Sequence, residues 1–204
     1  MRVLLVHGMG RTPISWLPNL VRLRRGGHRV SVFAYSATLQ DFARIRDRLA
    51  TRLEQLAAQG DYAVVGHSLG GVLLRSALNA LPAQIALPKH LFLLSSPLHP
   101  ARLAQRLGRH PLFRLVAGDC GQLLASPERM AGIGAVKVAT TSIVGTLGYN
   151  GPRSPFGQEP NDGIVALAEM RAEWIADEIM VPVMHTLLPS SRRVAAILLE
   201  RLAS

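Results

Sequence analysis

The sequence contains very little cysteine. Cys120 is the only one among 204 residues, so no intramolecular disulfide can form. This excludes a small fold held together by disulfides and is typical of a protein in a reducing compartment. Cys120 has no neighbour at C-x-x-C spacing, and we interpret it as a small thiol that is buried or lies in a loop.

Long hydrophobic runs are also absent. No segment approaches the roughly 18 apolar residues that a membrane-spanning helix needs. The first apolar run, residues 2–6, is too short for the core of a signal peptide and leads directly into a glycine turn. We therefore expect a cytoplasmic protein.

Acidic residues are few compared with basic ones. The chain has 13 acidic and 23 basic residues, a net charge of +10, and lysine occurs only at Lys89 and Lys137, so the rest are arginines. The arginines are scattered over the predicted helices, without an aromatic-interleaved tract or a nucleic-acid motif. We therefore expect no nucleic-acid partner. A weak peripheral contact with an anionic membrane stays open.

Short apolar runs alternate with amphipathic helical patterns along the whole chain. The predicted strands are residues 2–6, 30–35, 62–65, 90–95, 136–144 and 178–184. The predicted helices are residues 13–25, 42–59, 69–81 and 190–202, with a helical patch at 166–176. This alternation predicts an α/β fold, a three-layer sandwich whose mostly parallel sheet has about six strands. We expect one domain, residues 1–204, with residues 97–135 as a small cap-like insertion.

The segment Gly66-His67-Ser68-Leu69-Gly70 is a G-x-S-x-G motif between a predicted strand and a predicted helix. Such a turn crowds the backbone, so glycine is needed on both sides of the serine, whose hydroxyl is lifted above the sheet edge. In this context the motif indicates that Ser68 is a nucleophile. The alternative is a glycine turn with an incidental serine.

The turn after the first strand, His7-Gly8-Met9-Gly10, is the second motif. Acyl transfer needs two backbone donors for an oxyanion. We predict that they are the N–H groups of Leu69, directly after the nucleophile, and of Met9. We further predict that Gly8, His67 and Pro97 border the substrate.

A nucleophilic serine needs a base, and the base needs an acid that orients it. Of seven histidines, only His185 directly follows the last predicted strand, so we predict that it is the base. Asp162 lies in the loop after the penultimate strand, before a glycine, and is the predicted acid. Glu159 is the second choice. Asp177 lies at the wrong edge of the sheet, and Asp119 in the insertion.

These motifs together resemble the α/β-hydrolase superfamily, and within it the small bacterial lipases and esterases. VLLVHGMG resembles the oxyanion segment, VVGHSLGG the nucleophile elbow, NDGIV the acidic motif, and VMHTLLPSSRRV the tail that carries the catalytic histidine. The order Ser68, Asp162, His185 is the one expected for that fold. The chain begins at the oxyanion strand and, unlike many secreted relatives, shows no signal peptide.

The resemblance implies a serine hydrolase that cleaves carboxylic esters of small molecules through an acyl-enzyme, with roles in lipid metabolism and no cofactor or metal. The same triad would serve a thioesterase or an acyltransferase, and a non-catalytic binding protein of this fold is a third alternative. Residues 102–109 are either a solvated helix, which we favour, or a basic flap resting on anionic lipid. With so short an insertion we expect no large lid. The sequence leaves the oligomeric state, acyl chain and head group open.

Overall fold

The computed structural model describes residues 1–203, which form a six-stranded sheet with helices on both faces. The strands are β1 (Arg2–Val6), β2 (Arg29–Phe33), β3 (Tyr62–His67), β4 (His90–Leu94), β5 (Thr140–Gly145) and β6 (Asp177–Val181). The α-helices are α1 (Leu17–Arg25), α2 (Phe42–Ala57), α3 (Leu69–Asn79), α4 (Arg102–Leu107), α5 (Pro111–Ala125), α6 (Pro127–Ala131) and α7 (Arg192–Ala203). Short 3₁₀ helices occur at Pro13–Trp16, Leu167–Met170 and His185–Ser190.

All neighbouring strands are parallel, in the order β2-β1-β3-β4-β5-β6. The predicted parallel sheet of six strands is therefore confirmed. Strand β2 lies on one side of β1, and β3, β4, β5 and β6 follow in order on the other side. The carboxyl ends of all strands meet at one edge, which is where ligands bind in open α/β sheets.

The two faces of the sheet have separate hydrophobic cores, as the alternation of side chains along β1 shows. Val3 and Leu5 pack with residues of α1 and α7 on one face. Leu4 and Val6 pack with residues of α2 and α3 on the other face. All four side chains are almost completely buried, which is why these strands read as continuous apolar runs.

The predicted insertion, residues 97–135, contains the helices α4, α5 and α6. Helix α5 bends at Gly118, whose φ is +56°. The helix lies against the loop after β2, where the hydroxyl of Thr38 donates to the carbonyl of Val116 at 2.7 Å. Cys120 is fully buried within the α2–α3 core, and burial raises the pKa of its thiol to about 12.

The helical patch predicted at residues 166–176 is mostly wrong. Only the turn Leu167–Met170 is helical. The carboxylate of Glu169 accepts a hydrogen bond from the N–H of Ala166, which closes this turn. The same carboxylate also binds Arg102. Within residues 1–203, no helix combines the length and the apolar character that crossing a membrane requires.

Candidate active site

Ser68 lies in the sharp turn between β3 and α3, at the carboxyl edge of the sheet. Its backbone has φ +53° and ψ −123°, a conformation that residues other than glycine rarely adopt. The N–H of Ser68 donates to the carbonyl of Leu94 at 2.9 Å, which ties the turn to β4. A strained serine held by neighbouring strands is the geometry of a nucleophile elbow.

The glycines on either side of Ser68 are required by close packing. A Cβ on Gly70 would overlap the carbonyl oxygens of Val6 and His7, and a Cβ on Gly66 would lie 2.5 Å from the backbone of Gly71. The sequence argument that larger residues would clash here therefore agrees with the contacts. Because Gly70 lacks a side chain, the start of α3 approaches the end of β1 directly.

The loop after β1 runs beside the elbow, as the predicted oxyanion loop should. A Cβ on Gly8 would lie 3.1 Å from the Cβ of Ser68, so the two turns are in contact. The turn is closed by the N–H of Arg11 donating to the carbonyl of Gly8 at 3.3 Å. Within residues 1–203, no hydrogen bond uses the N–H of Met9 or of Leu69 as its donor. Both predicted donors are thus available to a ligand.

His185 and Asp162 form a buried polar pair at this edge. The imidazole Nδ1 of His185 lies 2.6 Å from the Oδ2 of Asp162, and the N–H of His185 donates to the carbonyl of Asp162 at 2.9 Å. The two side chains are buried. Because a carboxylate only accepts, Nδ1 carries the proton and the other ring nitrogen, Nε2, is left as an acceptor.

The carboxylate of Asp162 is held by more than the imidazole. Its Oδ1 accepts hydrogen bonds from the N–H groups of Ile164, at 3.0 Å, and Val165, at 2.8 Å. Burial acts to raise the pKa of Asp162, but the hydrogen bond and charge of His185 and these two N–H groups outweigh it, so the net pKa is lowered. The site therefore favours an ionised carboxylate, which suits the orientation of an imidazole.

The other carboxylates considered from the sequence lie elsewhere. Glu159 pairs with Arg102 at 2.5 Å. Asp119 pairs with Arg129 at 2.8 Å and accepts from the N–H of Phe42. Asp177 is the first residue of β6 and therefore lies at the opposite edge of the sheet. None of the three hydrogen-bonds to His185 in residues 1–203.

The side chain of His67 lies under His185 and is fully buried. Its Nε2 donates to the carbonyl of His185 at 3.0 Å, and the two rings are 4.7 Å apart between centroids. Burial, and then the charge of His185, lower the pKa of His67 well below its ordinary value. This burial leaves little of the side chain for a substrate to contact. Pro97 is also buried, and its carbonyl accepts from Arg75 at 3.4 Å.

Within residues 1–203 the hydrogen bonds do not include one between the hydroxyl of Ser68 and His185. In unliganded sites such bonds are often long and tighten only with substrate. No group of three or more His, Cys, Asp and Glu side chains in the same residues is arranged to hold a metal ion.

Two contacts at this edge were not predicted from the sequence. Tyr35 stacks on His7, with ring centroids 4.2 Å apart, and its hydroxyl donates to the carbonyl of His7 at 2.7 Å. Ser95 follows β4 with φ +40°, and its hydroxyl accepts from the N–H of Gly145. The only sequence signal for either residue is its position, because Tyr35 and Ser95 are the last residues of two predicted strands.

Comparisons with known proteins agree with this architecture. Among solved structures, the mature lipase BlEst2 of Bacillus licheniformis is similar with a TM-score of 0.78 and 17% identity, over 98% of this chain and 91% of that chain. Tomato methylketone synthase I has a TM-score of 0.68 and 15% identity, over 99% of this chain and 97% of that one.

A third structure, phospholipase PlaB from Legionella pneumophila, has a TM-score of 0.65 and 15% identity, with 84% of this chain covering 46% of PlaB. This chain thus spans less than half of PlaB. At these identities the likeness shows the fold alone.

No curated protein matches the sequence. The model of the alpha/beta hydrolase family matches residues 3–199. The chain therefore belongs to the alpha/beta hydrolase family.

Proposed function

We propose that the protein is a serine hydrolase that cleaves carboxylic esters through Ser68, His185 and Asp162. The observation that carries the proposal is the buried pair of His185 and Asp162, 2.6 Å apart, at the same sheet edge as the strained elbow of Ser68. A binding protein of this fold has no need of an oriented imidazole beside a strained serine. The lipase and phospholipase among the structural neighbours agree with this class of reaction.

The proposed reaction has two steps. His185 accepts the proton of the Ser68 hydroxyl at Nε2 while Oγ attacks the acyl carbonyl. The resulting oxyanion accepts hydrogen bonds from the N–H groups of Met9 and Leu69. His185 then donates its proton to the departing alcohol, which leaves an acyl group esterified to Ser68. Water repeats the attack with the same base and releases the carboxylic acid.

The residues of the carboxyl edge favour an apolar acyl group. Large hydrophobic side chains are exposed in the segments that follow the strand ends, among them Leu39 after β2, and Leu112, Leu115 and Val116 in α5. Exposed apolar patches of this kind mark binding sites. We propose esters of medium, apolar acyl chains, hydrolysed as dissolved monomers, because the segment between β4 and β5 contains only the helices α4, α5 and α6 and is too short for a large lid.

The direct test is labelling with a fluorophosphonate and measurement of the intact mass. Ser68 displaces fluoride from phosphorus when its hydroxyl is activated, so we expect one adduct on the wild type, none on Ser68→Ala and strongly slowed labelling of His185→Ala. Ser76→Ala, on α3 beyond the elbow, and His110→Ala, on the exposed surface, are matched controls that should label like the wild type.

The outcomes separate the alternatives. No adduct on a folded wild type would refute the proposal and favour a non-catalytic binding protein. With labelling established, rates on a matched oxygen ester and thioester separate an esterase from a thioesterase, and added alcohol acceptors reveal an acyltransferase. Activity that begins only above the critical micelle concentration would contradict the monomeric substrate.

A further inference from the structure

The amino edge of the sheet, opposite the candidate active site, carries a basic cleft. Its volume is about 430 Å³, and it lies between the start of the edge strand β2 and helix α2. We call it the arginine cleft. Its lining includes Arg2, Arg24, His28, Arg29, Ser31 and Arg52.

The arginine cleft contains four guanidinium groups and, among these lining residues, no carboxylate. Three of them make hydrogen bonds to uncharged partners only. Arg2 donates to Gln59 at 3.1 Å, Arg24 to the carbonyl of Val30 at 2.9 Å, and Arg52 to Gln55 at 3.2 Å. Within residues 1–203 the guanidinium of Arg29 has no hydrogen-bond or ion-pair partner. The positive charge of this cleft is therefore not balanced by the protein.

Some arginines elsewhere in the molecule are paired with carboxylates. Arg102, Arg129 and Arg171 each bind a carboxylate within 2.8 Å. In the arginine cleft, by contrast, four guanidinium groups converge and no carboxylate lines the cleft. Arg2 and Arg29 are register partners on adjacent parallel strands, whose backbones lie about 4.8 Å apart. Like charges on directly opposite residues of neighbouring strands lower stability.

Two further polar side chains line the arginine cleft. The hydroxyl of Ser31 accepts a hydrogen bond from Arg52 at 3.5 Å, and the buried Nδ1 of His28 has no hydrogen-bond partner within residues 1–203. The planar fork of a guanidinium matches the oxygens of a phosphoryl group and binds it with two parallel hydrogen bonds. The volume of the cleft falls in the range of about 300–1,000 Å³ that is usual for small-molecule pockets.

From these contacts we propose that the arginine cleft binds a phosphoryl group of a small ligand, a phosphomonoester or a diphosphate, at the edge of the sheet remote from Ser68. The ligand is either a free phosphorylated molecule or the head group of a phospholipid. The four guanidinium groups bind the phosphoryl oxygens, and Ser31 donates a further hydrogen bond. The proposed hydrolysis of esters does not depend on this site.

The test is isothermal titration calorimetry with inorganic pyrophosphate in a buffer that contains no other phosphate. The cleft variant Arg29→Gln/Arg52→Gln is compared with Arg25→Gln/Arg44→Gln, whose two arginines are exposed and do not line the cleft. Both variants lose the same charge. We expect the cleft variant to bind at least about tenfold more weakly than the wild type, and the control variant to stay within about twofold. Equal weakening in both variants, or none in either, would overturn the proposal.

Two further measurements assign the site and the source of the ligand. In ¹H–¹⁵N spectra, pyrophosphate should shift the amide signals of Arg29 and Ser31 and leave that of Leu69 unchanged. Co-sedimentation with phosphatidic acid vesicles, against phosphatidylcholine vesicles, tests the lipid source. Retention that disappears in the cleft variant and is displaced by pyrophosphate assigns a lipid head group. Pyrophosphate binding without retention assigns a free ligand. If neither interaction depends on the cleft, the proposal fails.

Fluorophosphonate labelling of the cleft variant keeps the two sites separate. We expect labelling of Ser68 at the wild-type rate, because the cleft lies at the starts of the strands and Ser68 follows the end of β3. A cleft variant that loses labelling together with pyrophosphate binding, while still folded, would contradict the independence of the two edges.

Discussion

The two edges of one parallel sheet are built on different principles. Ser68 and Ser95, the two residues other than glycine with positive φ among residues 1–203, both follow the carboxyl ends of central strands. At the amino edge, positive φ occurs at Gly27 and Gly60, where it causes no strain. Backbone strain is thus concentrated at the edge that holds the candidate active site.

The charged groups differ in the same way. At the carboxyl edge, the carboxylate of Asp162 is buried and accepts three hydrogen bonds, from His185, Ile164 and Val165. At the amino edge, the guanidinium groups of the arginine cleft are half-buried or exposed and meet uncharged partners. The first arrangement holds individual atoms in fixed positions. The second presents several positive charges to which one anion could bind.

The largest effect that we expect is on catalysis, from Asp162→Asn. The amide of asparagine can donate to Nδ1 of His185, which favours the tautomer that can no longer accept a proton from Ser68. We expect kcat to fall on the order of 10³- to 10⁴-fold with little change in thermal unfolding. The measurement is hydrolysis of p-nitrophenyl butyrate.

Asp177→Asn is the matched control from the amino edge. Asp177 accepts from the hydroxyl of Thr141 at 2.6 Å, and its carboxylate lies at the start of β6. We expect its kcat to stay within about twofold of the wild type, because no catalytic group contacts this edge. An equal loss in both variants would mean that Asp162 acts through stability alone.

A smaller effect is expected from His67→Gln, in the pH dependence of stability. Burial holds the pKa of His67 well below its ordinary value, so near pH 6 the folded protein keeps it neutral while the unfolded chain binds a proton. The free energy of unfolding therefore falls as the pH is lowered through about 6.5, by at most ~1.4 kcal/mol per pH unit for this residue.

The measurement is urea unfolding of the wild type and His67→Gln at pH 7.5, 6.5 and 5.5. The free energy of unfolding should depend less steeply on pH in the variant than in the wild type. The part of the pH dependence that is due to His7, whose pKa is also lowered by burial, should remain. Glutamine can still donate to the carbonyl of His185, so the loop should stay in place. Identical slopes would show that His67 is protonated in the folded protein.

Much of the fold could be predicted because buried parallel strands are continuous apolar runs. The predicted start of β5 at Val136 is wrong, and the reason is physical. Val136 and Val138 extend the apolar run, but pairing with β4 begins only at Thr140, opposite Leu91. The sequence shows apolar character and does not show where a neighbouring strand starts.

Only part of the candidate site could be predicted from the sequence. That Ser68, Asp162 and His185 lie at one edge could be predicted, because each follows a strand and parallel strands bring their ends to one edge. The hydrogen bond from His67 to the carbonyl of His185 could not, since it joins residues 118 positions apart through side-chain direction alone. The stacking of Tyr35 on His7 depends likewise on the register of β1 and β2.

Ser68→Gly should show the strain at the carboxyl edge as a gain in stability. Glycine adopts φ +53° without a clash, which relieves about 1–3 kcal/mol, while its greater freedom in the unfolded chain costs about 0.5–1 kcal/mol. We expect Ser68→Gly to be more stable than Ser68→Ala by about 1 kcal/mol in urea unfolding, although both are inactive. Equal stabilities would mean that the neighbouring strands, and not the elbow, bear the strain.

The smallest expected effect is at the amino edge, in the single variant Arg29→Gln. Removing one of two like charges that face each other on β1 and β2 should raise the free energy of unfolding by a few tenths of a kcal/mol, about 0.3, at low ionic strength. The gain should vanish in about 1 M NaCl, where charges are screened over roughly 3 Å. Pyrophosphate should reverse its sign, because the ligand stabilises the wild type more than the variant. A loss of stability without ligand would show that Arg29 supports the fold, and the two edges would then differ less than their charges indicate.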